Sequence, residues 1–147
     1  VRFGKALQLI NILRDLPEDL RMGRCYIPSA VLTEHDLEPR DLLEPENIGR
    51  FRPVFDGYID KATAHLDAAV DYIGLLPHSQ FRLRGACMLP VLIGQRTLTL
   101  LRTQNVLDGE NRIKVLRPEI KQLKRKTMLA LPSGRRSQRL LDVNRSA

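Results

Sequence analysis

Apolar residues recur at three- and four-residue steps through most of this chain, and this spacing restricts its fold more than any other feature. Between residues 50 and 75 one face is marked by Tyr58, Ala62, Leu66, Ala69 and Ile73. That period is typical of an amphipathic α-helix. No segment of useful length shows the two-residue alternation of a half-buried strand. The sequence therefore predicts an all-α protein.

Prolines and turn residues divide the chain into predicted helices. We expect helices over residues 2–20, 30–35, 50–75, 80–101 and 118–131, with Ser29 capping the second and a loop over residues 36–48. Pro90 should kink the helix over 80–101, which is apolar on all sides and is expected at the centre. Residues 1–131 are predicted to form one helical domain. Residues 132–147 are predicted to be a basic, disordered tail.

The net charge of +7 is concentrated in the last quarter of the chain. Residues 111–147 hold 11 Lys and Arg against 2 acids, whereas residues 1–110 hold 13 against 15. Such a basic segment attracts any polyanion, including a diphosphate or a phospholipid surface. Association with a membrane surface is therefore an expectation, while specific binding of nucleic acid is not. Because only 5% of the residues are aromatic and none is Trp, any base-stacking surface would be thin.

The chain shows no familiar metal site built on sulfur or imidazole. Cys25 and Cys87 are far apart and form no zinc spacing, so we expect buried free thiols in a reducing compartment. His35, His65 and His78 share no ligand spacing and are expected at the surface or in the core. No signal peptide and no apolar run of bilayer length is visible, which favours a cytoplasmic location.

The clearest chemical pattern lies in one predicted helix near the start of the chain. At about 100° per residue, Gln8, Asn11, Asp15 and Asp19 fall within roughly 80° on one face, opposite a leucine face. Mg²⁺ prefers such carboxylate and amide oxygens and usually binds one or two carboxylates together with substrate phosphates. The pattern fits a magnesium–diphosphate site, but spacing alone favours an ordinary solvated helix face.

Neighbouring residues modify this interpretation. Arg14 and Arg24 would add positive charge for an anionic group at the same face. Pro17 lies between Asp15 and Asp19, where it removes one main-chain hydrogen bond of the helix. We therefore expect either a kink there or a changed direction of the Asp19 side chain.

The segment LQLINILRDLPEDLRMGRCYIP resembles the second aspartate-rich signature of the squalene and phytoene synthases. That signature couples Gln, Asn, Arg-Asp, Glu-Asp and Gly-Arg-x-Tyr-x-Pro in one order, and every part is present. A looser resemblance continues through LLP at 75–77, ACMLPVLIGQRTL and RIKVLRP at 112–118, so it covers about residues 2–130. It implies the C-terminal portion of a class I isoprenoid-synthase-type helical bundle.

The resemblance also implies roles for single residues. Asn11, Asp15 and Asp19 would hold Mg²⁺, with Asp15 and Asp19 as catalytic residues, and Gln8, Arg14, Arg24 and, more weakly, Arg112 would bind the substrate. In this family two allylic diphosphates, such as farnesyl or geranylgeranyl diphosphate, are joined head to head through a cyclopropylcarbinyl diphosphate. A second ionisation gives phytoene, or squalene when NADPH reduces the cation.

The stretch ACMLPVLIGQRTL slightly favours a squalene-type enzyme. The family has another aspartate-rich helix, N-terminal to the signature. Asp56/Asp60 and Asp67/Asp71 have its spacing but follow the signature, so we expect a solvated face there. We therefore expect this chain to be a C-terminal fragment, inactive alone and prone to self-association. Two alternatives stay open, namely a non-catalytic helical protein of the same fold and a polyanion-binding module that uses the basic C-terminus.

Overall fold

The computed structural model of the chain describes residues 1–143 and 145, and no strand occurs among them. It contains six α-helices: α1 (Arg2–Arg21), α2 (Ser29–Thr33), α3 (Ile48–Leu75), α4 (Phe81–Thr103), α5 (Arg117–Ala130) and α6 (Gly134–Val143). Two short 3₁₀ turns, Pro39–Leu43 and Pro45–Asn47, occupy the predicted loop. The all-α prediction is confirmed, and the bounds of the long helices are close to those expected.

The centre of the fold is formed by α1, α3 and α4, which pack against one another. Leu13 and Leu16 of α1 are buried against this core. Gly94 lets α4 come close to both partners, because a Cβ there would lie 3.1 Å from Ile10 Cδ1 and 3.4 Å from Leu66 Cδ2. Burial of the leucine face fixes the rotation of α1, and the polar face is thereby turned away from the core.

The C-terminal end of α3 is closed by a buried arginine from α4. Arg84 is only 2% exposed, and its Nη1 donates hydrogen bonds to the carbonyls of Ile73 (2.6 Å) and Leu76 (2.7 Å). The last carbonyls of a helix have no partner within the helix, so a cation at this position satisfies them. The helix predicted to be apolar on all sides therefore contains one buried charge with a structural role.

Two local predictions were wrong. Ser29 is the first residue of α2 rather than its cap, which is Pro28. Disorder from residue 132 onward is contradicted by α6, in which Ser137 and Leu141 are fully buried. Gln95 of α4 donates from Nε2 to the Leu141 carbonyl at 3.1 Å, which ties α6 to the core. Residues 144, 146 and 147, which the same prediction covered, lie outside the described part of the chain.

Two other expectations can be compared with the structure. Cys25 and Cys87 are free thiols as predicted, but both are partly exposed rather than buried. Across the residues that the structure describes, no helix is long and apolar enough to cross a bilayer.

Candidate active site

The polar face of α1 keeps its predicted order along one uninterrupted helix. The helix continues through Pro17 to Arg21, so Asp15 and Asp19 belong to the same element. Gln8 and Asn11 are exposed, whereas the two aspartates are partly buried. The predicted row of polar side chains is therefore present on α1, and its two aspartates are less exposed to solvent than its two amides.

Asp15 lies between two arginines. Arg14 donates from Nε to Oδ1 (2.9 Å) and from Nη2 to Oδ2 (2.8 Å), and Arg112 donates from Nη2 to Oδ1 (3.0 Å). These contacts hold the pKa of Asp15 below its ordinary value, with Arg14 as the larger cause and Arg112 as the smaller. Partial burial acts in the opposite direction. Asp15 is consequently a carboxylate at neutral pH.

Arg112 joins two acids of α1. Besides Asp15 it contacts Glu18, with Nη1 2.9 Å from Oε1. The resemblance made Arg112 only a weak candidate, but the structure places it directly on the acidic face. Glu18 was not predicted as a site residue. Its position three residues after Asp15 on the same helix was the signal that could have identified it.

The loop between α4 and α5 carries Arg112 back to α1. Val106 and Ile113 anchor this loop because both are buried. Asn105 fixes the start of the loop, donating from Nδ2 to the Pro45 carbonyl (3.1 Å) and accepting from the Leu107 N–H (3.0 Å). The position of Arg112 is thus set by packing of the loop and not by α1 itself.

An open cleft of about 590 Å³ lies beside Arg112. Arg96 of α4 and Lys114 of the loop also line it, so three cations border one cavity. Arg96 is held by Glu119, with Nη2 2.9 Å from Oε1. Sequence reasoning missed Arg96 and Lys114, because no local pattern distinguishes them from other surface cations.

The other predicted site residues are not drawn into this network. In the described part of the chain, no side-chain hydrogen bond links Gln8, Asn11 or Asp19 to another residue. Arg24 is exposed, and its recorded contact with this helix is a main-chain one, from its N–H to the Asp19 carbonyl (2.8 Å). The oxygens of Asn11 and Asp19 therefore remain available to a ligand, whereas those of Asp15 are engaged.

The residues present fit Mg²⁺ by the chemistry of their donors. Asn11, Asp15 and Asp19 supply hard oxygen ligands on successive turns of α1. Within the described residues, however, no cluster of three His, Cys, Asp or Glu side chains could hold a metal unaided. An ion at this face would need further oxygens, which a bound diphosphate can supply.

The acids of α3 form ordinary ion pairs instead. Asp60 pairs with Arg102 (2.7 Å), and Arg145 lies 3.0 Å from Asp67 and 3.3 Å from Asp71. Asp56 lies 3.8 Å from Arg52, one turn before it. The pairs of Asp60, Asp67 and Asp71 link α3 to later parts of the chain, whereas the pair of Asp56 lies within α3.

Comparison with known proteins adds independent findings. The sequence profile described as squalene/phytoene synthase matches residues 1–119. The 15-cis-phytoene synthase of Enterobacter agglomerans is 50% identical over 44 residues, which are 30% of this chain and 15% of that protein. The phytoene synthase of Thermus thermophilus is 40% identical over 67 residues, 46% of this chain and 20% of that protein.

A third relative extends the match. The 15-cis-phytoene synthase of Synechococcus elongatus is 36% identical over 75 residues, 51% of this chain and 24% of that protein. The chain thus matches less than a quarter of the length of each of these relatives. The profile match contains α1 with its acidic face and Arg112. Together with the all-helical fold, this match shows that the chain belongs to the squalene/phytoene synthase family.

Proposed function

We propose that the full-length protein joins two prenyl diphosphates head to head, and that the α1 face of this chain binds a diphosphate group of one of them. The observation that carries the proposal is the convergence of Arg14 and Arg112 on Asp15 within the signature helix. A guanidinium is suited to a diphosphate because its planar N–H groups match phosphate oxygens in pairs. The nearby Lys114 would add charge for the same group, while Arg96 is paired with Glu119.

The proposed reaction begins with ionisation of one prenyl diphosphate. Its C1–O bond breaks and the diphosphate leaves with the electron pair, which gives an allylic cation. The double bond of the second prenyl diphosphate attacks this cation, and loss of a proton closes the cyclopropane of a cyclopropylcarbinyl diphosphate. Arg14 and Arg112 would stabilise the negative charge that develops on the leaving group. The apolar surface of α4 would help keep water from the cation.

Mg²⁺ is the metal that we propose for this site. Asn11, Asp15 and Asp19 would hold it, and when bound it would supply positive charge to the departing diphosphate. Asp15 can use its Oδ1 for the metal only if Arg112 moves away from that oxygen. Arg112 would then be free to contact the diphosphate.

Calorimetric titration with a non-hydrolysable farnesyl or geranylgeranyl diphosphate analogue, with and without Mg²⁺, tests the binding site. We expect metal-dependent binding that is lost in the Asp15→Asn/Asp19→Asn variant. A matched control is Asp56→Asn/Asp60→Asn, which removes two acids at the same spacing from α3. Equal loss in both variants, or binding indifferent to Mg²⁺, would contradict the proposed site.

The product is a separate question. The relatives described above are named phytoene synthases, which supports a phytoene-type reaction. The squalene-type preference drawn from the sequence stays a prediction. Turnover assays of the full-length protein with each prenyl diphosphate, with and without NADPH, separate the two. A hydrocarbon product formed only with NADPH would favour squalene, and no turnover with either substrate would favour the non-catalytic alternative.

A further inference from the structure

The groove between α5 and α6 combines exposed apolar tips with basic side chains. Five residues that border this groove of about 380 Å³, Lys126, Leu129, Arg136, Arg139 and Val143, are called here the α5–α6 surface. Leu129 is 67% exposed and Val143 is 68% exposed. On α6, internal packing does not require Val143, because Leu141 on the opposite side of the helix is already completely buried.

The charge of this surface is not balanced by the protein. In the part of the chain that the structure describes, Lys126, Arg136 and Arg139 form no ion pair. Of the two acids of these helices, Glu119 pairs with Arg96 of α4, and Asp142 accepts a hydrogen bond from the neutral amide of Gln138, which leaves one carboxylate against three cations. The surface therefore presents uncompensated positive charge around an apolar centre.

A bilayer with anionic headgroups matches both properties. Its phosphates attract Lys and Arg, while the headgroup–acyl boundary accepts leucine and valine tips. A second copy of the same surface would repel the first by like charge. A nucleic acid would leave the apolar tips without a partner, and the α5–α6 surface offers no aromatic ring for base stacking. We propose that the α5–α6 surface docks this protein on the surface of an anionic phospholipid bilayer.

Flotation with vesicles tests the electrostatic part, and it requires no prenyl substrate, so its result is independent of the proposed reaction. The chain should bind vesicles of phosphatidylcholine with phosphatidylglycerol and not vesicles of phosphatidylcholine alone, and added salt should weaken this binding. Each Lys or Arg at an anionic surface contributes about a fivefold factor. The variant Lys126→Gln/Arg136→Gln/Arg139→Gln should therefore bind on the order of a hundredfold more weakly.

A matched control variant removes three positive charges from another part of the chain. Arg40, Arg50 and Lys61 are exposed and lie on the 3₁₀ turn after α2 and on α3. Their replacement by Gln should weaken binding less than about fivefold, because none of them borders the α5–α6 groove. Equal weakening by both triple variants would overturn the proposal and indicate attraction by net charge alone. Circular dichroism of each variant confirms that its helices are intact.

A fluorescence reporter tests the apolar part. The chain contains no Trp, so Leu129→Trp introduces a single emitter at the centre of the surface. Its emission should move to shorter wavelength when anionic vesicles are added, whereas a control Tyr26→Trp, at a site 53% exposed after α1, should not shift. The proposal is overturned if Leu129→Trp does not shift. It is also overturned if duplex DNA is bound as tightly as the vesicles and the Lys126/Arg136/Arg139 variant loses both.

Discussion

Replacement of Arg112 by Gln should tighten binding of a metal ion alone and weaken binding of a prenyl diphosphate in the presence of the metal. The substitution removes ion pairs to Asp15 (3.0 Å) and Glu18 (2.9 Å), and the Arg112 side chain is 49% exposed. Pairs this exposed contribute about 0.2–1 kcal/mol each, so the two together contribute about 0.5–2 kcal/mol. Oδ1 of Asp15 already accepts two hydrogen bonds, from Arg14 and Arg112, so a metal ion that binds Oδ1 must displace Arg112 first. Without a diphosphate, Arg112→Gln should therefore tighten metal binding by about two- to thirtyfold.

The effect of Arg112→Gln on the affinity for a prenyl diphosphate analogue should be the opposite. Arg112 would then contact the diphosphate, so Arg112→Gln should weaken binding of the analogue in the presence of Mg²⁺. Calorimetry with Mg²⁺, or electron paramagnetic resonance with Mn²⁺, measures the metal alone, and calorimetry measures the analogue. Arg102→Gln is the matched control, because Arg102 is similarly exposed and forms one ion pair with Asp60 on α3. An unchanged metal affinity in Arg112→Gln would refute competition for Asp15.

Four further predictions concern stability and are measured by urea unfolding followed through helical circular dichroism. Arg84→Met should lose about 2–4 kcal/mol because the buried Ile73 carbonyl and the partly buried Leu76 carbonyl lose a charged donor, whereas Arg82→Met at an exposed site should lose little. Gly94→Val should lose about 1–3 kcal/mol by overpacking the core. Leu141→Ala should lose about 2–5 kcal/mol, and an unchanged free energy of unfolding would contradict the packing of α6. The pKa of Asp15 is lowered in the folded protein, so this carboxylate stabilises the fold fully at pH values above its ordinary pKa of 3.8. That stabilisation is lost as the pH falls through the lower pKa of the folded state. Asp15→Asn should therefore make the free energy of unfolding depend less on pH in this acidic range.

The sequence predicts best those parts of the fold that depend on residues close together in the chain. The α1 helix and its acidic face follow from residues within one segment, and the structure reproduces them. The contact between Arg112 and Asp15 joins residues 97 positions apart, so it depends on how the loop after α4 packs. The ten residues of α6 are too few and too polar to predict a helix from the sequence. Its helix is stabilised by tertiary burial of Ser137 and Leu141, which no local pattern reveals.

The charges around Asp15 indicate why metal and diphosphate should bind together under the proposed function. In the present structure Arg112 compensates two carboxylates of α1, Asp15 and Glu18. A metal alone would have to displace this arginine from Oδ1 of Asp15 and leave it with Glu18 as its remaining anionic partner. A diphosphate alone would draw Arg112 away, so that Asp15 would keep Arg14 but Glu18 would lose the cation that pairs with it. When both ligands arrive, the metal supplies positive charge to the acidic face in place of Arg112, and Arg112 compensates the diphosphate. We therefore expect each ligand to raise the affinity for the other, and by thermodynamic reciprocity the two factors should be equal.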